Sequence, residues 1–203
     1  MAGDHTALTV LSSRVDATDA DIRDLLRRVA ELASTPRGAD RGARPRTFAI
    51  LGDLVVPDAP TADATVVAHD RIGRLAVRLA IDKTLCIGTS RAVRATYQGA
   101  VMEGSWGDEA LAVADIGAAL ELIGSDESWL PRGGDVVLIA GSVGDRAVLA
   151  DAFRDRSGAE LHEIGPGEVG SGAVGSCDAD ADATSGRADA DVTEQDEKGK
   201  IQR

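Results

Sequence analysis

Between residues 7 and 164, short apolar runs alternate with longer stretches in which apolar residues recur every three or four positions. The first kind of run is strand-like and the second is the signature of an amphipathic helix. "ALTVLS" (7–12), "TFAILG" (47–52), "KTLCIG" (83–88) and "DVVLIAG" (135–141) are predicted strands, with a weaker one near 111–114 and an edge strand in "ELHEIG" (160–165). Between them, Ile22, Leu25, Leu26, Val29 and Ala33 mark one helical stripe, and Ala68, Ile72, Leu75, Ala76 and Leu79 mark a second. A short helix is expected from about Ser90, followed by a loop over 99–110. A further helix carries Ile116, Ala119, Leu120 and Ile123, and a last one carries Val148, Leu149, Ala152 and Phe153.

Start signals agree with this division. Thr18 with Asp21 three residues on resembles a capping box, and Asp115 stands where an N-cap belongs. Strand and helix alternate about five times, which predicts a Rossmann-like three-layer α/β domain with a mostly parallel sheet of five or six strands. Ligands of such sheets bind at the C-terminal ends of the strands. Those ends are 12–16, Gly52-Asp53, Gly88-Thr89 and Gly141-Ser142.

Composition changes the picture at one place. From residue 165 the chain has no aromatic residue and almost no large aliphatic one, so 165–203 is expected to be a disordered acidic tail after a domain over 1–164. The formal charge of −12, with one Tyr, two Trp and two Phe, argues against nucleic-acid binding. The basic run 37–46 reads as a solvated loop, since no aromatic residue interrupts it. Cys86 sits in an apolar run as a buried free thiol, Cys177 falls in the tail, and His5, His69 and His162 are too far apart for metal-ligand spacing. No run reaches membrane-spanning length and no leader precedes the first strand, so a cytoplasmic protein without membrane contact is expected.

Several chemistries lack their motif. There is no G-x-x-x-x-G-K-[ST], no G-x-G-x-x-G after the first strand, and no nucleophile elbow. No catalytic and no metal-ligating residue is assigned. Gly141-Ser142 remains a possible anion turn, or simply a link from strand to helix.

Four blocks together carry a resemblance: "FAILGDL" (48–54), "HDRIGRLAVRLAIDKTLCIG" (69–88), "GAVMEGSWGDEALAVAD" (99–115) and "PRGGDVVLIAGS" (131–142). They resemble the C-terminal domain of Mur ligases, closest to the actinobacterial type that adds D-alanyl-D-alanine to UDP-muramoyl-tripeptide. The resemblance implies peptidoglycan precursor synthesis. In the family, a central domain carries the P-loop, ATP and Mg²⁺, and the C-terminal domain closes over the site. An acyl phosphate forms on the growing peptide, and the incoming amine attacks it. ATP and Mg²⁺ therefore come with the resemblance only; none is assigned to this chain alone. Possible partners by the same logic are separately encoded N-terminal and central domains, D-Ala-D-Ala, or a UDP-muramoyl-peptide.

Departures from the family fall at the strand-end loops. Where the family has Asp-Ser-Tyr-Asn-Ala-Asn-Pro after the first strand, this chain reads "SRVDATD" (13–19), with Asp16 and Thr18 in place of the two Asn. Ala140 stands where the family has Lys before Gly-Ser, and "GDL" runs on into "VVPD". Scaffold without site residues predicts a relative that does not ligate by itself. The alternatives are a closing domain acting in trans and a small nucleotide- or metabolite-binding module. Candidate ligand contacts are Asp16, Thr18, Gly52, Asp53, His69, Trp106, Gly141 and Ser142. Each has a structural alternative: helix initiation for Asp16 and Thr18, turn formation for Gly52 and Asp53, and helix capping or packing for His69. For Trp106 it is loop anchoring, and for Gly141-Ser142 a plain connection.

Overall fold

The computed structural model describes residues 7–14, 16–34, 44–144, 146–157 and 161–164. The expected disordered tail, Cys177 and most of the basic run lie outside the described residues.

Six strands form one parallel sheet: β1 (Leu8–Ser12), β2 (Thr47–Leu51), β3 (Lys83–Ile87), β4 (Ala110–Val113), β5 (Val136–Ala140) and β6 (Leu161–Ile164). Their order across the sheet is β4-β3-β2-β5-β1-β6. Five helices connect them: α1 (Asp19–Ser34), α2 (Ala62–Arg78), α3 (Arg91–Glu103), α4 (Ile116–Ser125) and α5 (Arg146–Ser157). The predicted Rossmann-like three-layer fold is what the chain adopts, with the sheet wholly parallel.

Alternation along the strands sorts the core into two layers. Leu8, Val10, Phe48, Ile50, Leu85, Ile87, Val137 and Ile139 face α4 and α5, where Ala119, Ile123, Leu149 and Phe153 meet them. Leu11, Ala49, Leu51, Val136, Leu138 and Ala140 face the stripes of α1 and α2. Both faces of the sheet are covered, which is why β5 is apolar throughout and β2 departs from that only at Thr47.

Local sequence explains where the helices start. Thr18 Oγ1 accepts from the Asp21 amide at 3.2 Å while the Asp21 carboxylate accepts from the Thr18 amide at 2.8 Å, completing the capping box. All five residues of the predicted α1 stripe are buried. Asp115 caps α4 by accepting from Ala118 N at 2.9 Å.

The structure corrects three elements. His69 does not begin α2, which starts seven residues earlier behind the N-cap Thr61. The helix after Ser90 is not short: α3 runs thirteen residues and includes the segment from Gly99 onward that reads as a loop. Val148, assigned to the inward face of α5, is 39% exposed, and Leu149 and Phe153 carry that contact.

The basic run also departs from its solvated reading at its end. The Arg46 guanidinium donates twice to Asp135 Oδ2, at 3.2 and 2.8 Å, and to the Ser128 and Leu130 carbonyls, while its amide donates to Asp135 Oδ1 at 3.0 Å. Arg44 reaches the Ala80 carbonyl and Asp82. These arginines fasten the entry to β2 onto the N-terminal edge of the sheet.

Candidate functional site

The C-terminal ends of β1, β2 and β5 are adjacent, because β5 lies between the other two. Helices α1 and α2 leave to one face and α5 to the other, so this edge is the switch point where such folds bind ligands. It holds Gly52, Asp53, Gly141 and Ser142, brought together from two sequence regions.

Their contacts are with one another. Gly52 N donates to the Ala140 carbonyl at 2.9 Å, and Ser142 N donates to the Asp53 carbonyl at 2.8 Å. Gly141 has φ +76°, and its N–H donates to Ser13 Oγ at 3.2 Å. A Cβ on Gly52 would lie 2.2 Å from the Ser142 carbonyl oxygen, so the β2 and β5 turns interlock without room for a side chain. Both amides of the supposed anion turn are therefore already used inside the chain.

Asp53 is a turn carboxylate: its Oδ1 accepts from Ser90 Oγ at 2.6 Å, and that hydroxyl in turn caps α3 by accepting from Val93 N at 3.0 Å. Next to it, His69 is fully buried. Its Nε2 accepts from the Leu54 amide at 3.3 Å, which places the ring proton on Nδ1, 2.9 Å from Thr96 Oγ1. Burial pushes its pKa below the ordinary histidine range, against the pull of Asp53. With both ring nitrogens occupied, His69 ties the β2–α2 loop to α3.

Asp16 and Thr18 line a cleft of about 390 Å³ beside this edge, together with Ser13, Arg14 and Asp21. Thr18 starts α1, but Asp16 takes no part in that cap. Its carboxylate is held side-on by Arg14, at 3.0 and 2.8 Å, and the Arg14 guanidinium lowers its pKa. The "VVPD" continuation also has a place here: Thr18 and Val55 form a parallel bridge, with Asp19 N donating to the Val55 carbonyl and Val55 N to that of Ala17.

Trp106 is not part of this assembly. It lies in the α3–β4 connection, at the N-terminal edge of the sheet, and is 80% exposed, so it does not anchor its loop by burial. Its amide donates to Glu109 Oε2 at 3.0 Å, and a backbone bond from Glu109 N to the Trp106 carbonyl closes the turn.

Residues that sequence reasoning did not include complete the edge. Ser13 is buried and bonds across to Gly141. Arg146, the first residue of α5, donates to the Ser13 carbonyl, to the Gly141 carbonyl at 2.5 Å and to the Arg14 carbonyl at 3.3 Å. Burial lowers its pKa. Serine and arginine at these positions carry no motif; only the strand order shows that they meet.

Cys86 is the buried free thiol expected, its pKa pushed up to about 12 by desolvation. Among the described residues no group of His, Cys, Asp and Glu is arranged to hold a metal, and no helix is long and apolar enough to cross a membrane. The edge does not fit a magnesium nucleotide by itself: its turn amides are spent, and Ala140 is apolar and buried.

Fold and edge define a three-layer, doubly wound α/β domain whose candidate edge is tied largely to itself. Sequence comparison then gives the lineage. Over 97 residues, 48% of this chain, it is 45% identical to the UDP-N-acetylmuramoyl-tripeptide–D-alanyl-D-alanine ligase of Mycobacterium leprae (strain TN). Over 158 residues, 72% of the chain, it is 34% identical to the ligases of that name from Mycobacterium bovis (strain ATCC BAA-935 / AF2122/97) and Mycobacterium tuberculosis (strain ATCC 25618 / H37Rv). The matches span 17% and 28% of the relatives' own lengths. No family model and no solved structure matches. The chain is thus a relative of the D-Ala-D-Ala-adding Mur ligases over one part of those enzymes, as the four sequence blocks imply.

Proposed function

We propose that this chain serves peptidoglycan precursor synthesis by binding, as a relative of the ligases' closing domain that does not ligate by itself. One observation carries this reading. The turn that would face reacting phosphates uses its Gly141 and Ser142 amides internally, beside a buried Ala140 where the family resemblance places a lysine. Acyl-phosphate chemistry depends on donors and cations preorganised for developing charge. An alanine supplies neither.

The test is direct. The purified chain, given ATP, UDP-muramoyl-tripeptide and D-alanyl-D-alanine, should release no ADP, while saturating tripeptide or dipeptide should raise its unfolding temperature. Ligand at a hundred times its Kd adds about 2.7 kcal/mol. ADP release by the chain alone would overturn the non-catalytic reading.

The intact scaffold also supports a second reading, a closing domain that works in trans. Mixing the chain with the N-terminal and central segments of the M. tuberculosis relative decides between them. Turnover above that of the segments alone favours the trans reading, and no gain favours binding only.

A further inference from the structure

We infer that Met102, Trp106 and Glu109 form a docking corner for a basic segment of a partner protein, one that lays an arginine or lysine on the exposed indole. The corner lies in the α3–β4 connection, at the opposite end of the strands from the edge described above. It does not depend on whether the chain ligates.

Exposed apolar side chains are concentrated here. Val101, Met102 and Trp106 are 38, 69 and 80% exposed, all within the end of α3 and the turn after it. The other large apolar side chains exposed among the described residues, Val55, Val67 and Val148, stand singly on separate elements. Single exposed aliphatics are ordinary, whereas an exposed tryptophan grouped with aliphatics is the composition of a contact site.

The loop does not need its indole for shape. Gly104 N donates to the Ala100 and Val101 carbonyls at 3.2 and 3.3 Å, and Ser105 N donates to that of Ala100 at 3.1 Å. Lys83 Nζ holds the Asp108 carbonyl at 3.1 Å, and Glu109 N closes the turn on the Trp106 carbonyl at 3.3 Å. Main-chain bonds fix the backbone and leave the largest side chain pointing outward. Such an anchor loses little freedom when a partner covers it.

Charge decides the occupant. Glu109 spends one carboxylate oxygen on the Trp106 amide at 3.0 Å, and no basic side chain among the described residues pairs with it. The last turn of α3 carries no basic residue to meet the negative end of the helix dipole. Neighbouring cations are committed elsewhere: Lys83 to Asp108 at 2.6 Å, Arg78 to Glu103 at 2.7 Å and Arg74 to Asp70 at 2.8 Å. Indole face, carboxylate and helix end all favour an incoming cation, and Met102 suits its aliphatic stem. A second copy of this chain fits poorly, because a two-fold contact would set Glu109 against Glu109.

The test uses the full chain, isotope-labelled, whose two tryptophans give two indole N–H signals assigned with Trp106→Phe. The probes are the synthetic peptide acetyl-Gly-Leu-Arg-Leu-Arg-Gly-amide and its counterpart with glutamate in place of both arginines. The arginine peptide should move the Trp106 signal saturably and leave that of Trp129 in place, and the glutamate peptide should move neither. Added salt should weaken the response. Glu109→Gln keeps an oxygen for the Trp106 amide, so the turn stays closed while affinity for the arginine peptide falls several-fold. No saturable shift at Trp106, an equal response to the glutamate peptide, or unchanged affinity in Glu109→Gln would overturn the corner. So would a shift at Trp106 that follows protein concentration without peptide, which would assign the surface to a second copy.

Discussion

Gly73 of α2 and Gly99 of α3 form a reciprocal close contact between two helices. A Cβ on Gly73 would sit 1.9 Å from the Thr96 carbonyl oxygen, and one on Gly99 would sit 2.1 Å from that of Asp70. The helix backbones touch because neither position has a side chain. This seats Thr96 against α2, where its hydroxyl meets His69. Gly73→Ala and Gly99→Ala should each destabilise the domain by about 2 kcal/mol or more, despite the roughly 1 kcal/mol that alanine gains over glycine in a helix. Gly107→Ala, at φ +65° with open space around it, should cost only about 1 kcal/mol. Urea unfolding of the three variants separates steric from conformational cost.

His69 predicts a pH dependence. Its folded pKa lies below its unfolded value of about 6.5, so the unfolded state binds the extra proton first. Stability is therefore fully present above the unfolded pKa and falls as pH drops from there toward the folded value. Asp53 and Asp19 face the ring and moderate the effect without reversing it. Unfolding free energy measured from pH 8 to 5 should decline more steeply for the wild type than for His69→Gln. Equal slopes would mean that His69 takes up its proton over the same pH range in the folded and unfolded chain.

Asp135 is a buried anion with four donors: the Arg46 and Arg132 amides and two nitrogens of the Arg46 guanidinium. Removing the carboxylate strands a half-buried cation and those amides at the N-terminal edge. Asp135→Ala should cost about 3–5 kcal/mol, the range for breaking a buried pair from one side. Thermal and urea unfolding both read this.

The two tryptophans should separate cleanly by fluorescence. Trp106 is 80% exposed, whereas Trp129 is buried with Lys83 Nζ 5.0 Å from its ring centroid. Trp106→Phe should leave a blue-shifted emission that acrylamide hardly quenches, with stability changed by less than about 0.5 kcal/mol. A larger loss would mean that this loop leans on its indole after all.

The fold was legible because its signals are local. Short apolar runs located β1, β2, β3 and β5, and the spacing of Ile22, Leu25, Leu26, Val29 and Ala33 identified the buried face of α1. Gly99 misled because glycine usually breaks a helix, while here it permits contact with α2. His69 opens the block that carries the resemblance, yet the helix begins at Ala62 behind the N-cap Thr61. At the candidate edge, Gly52 and Ser142 were named from strand ends alone. The partnership of Ser13, Gly141 and Arg146 depends on β1 lying beside β5, a pairing across more than a hundred residues that no local pattern encodes.

The sheet order has a consequence for how this chain comes off the ribosome. β1 emerges first, yet its two neighbours are β5 and β6, the last strands made. Strands β2, β3 and β4 can pair as they appear, while β1 waits with both edges open until β5 slots in beside it. A nascent chain stopped near residue 130 would hold an unpaired apolar strand, a natural handle for chaperones. Shortened versions should therefore aggregate rather than form a smaller domain.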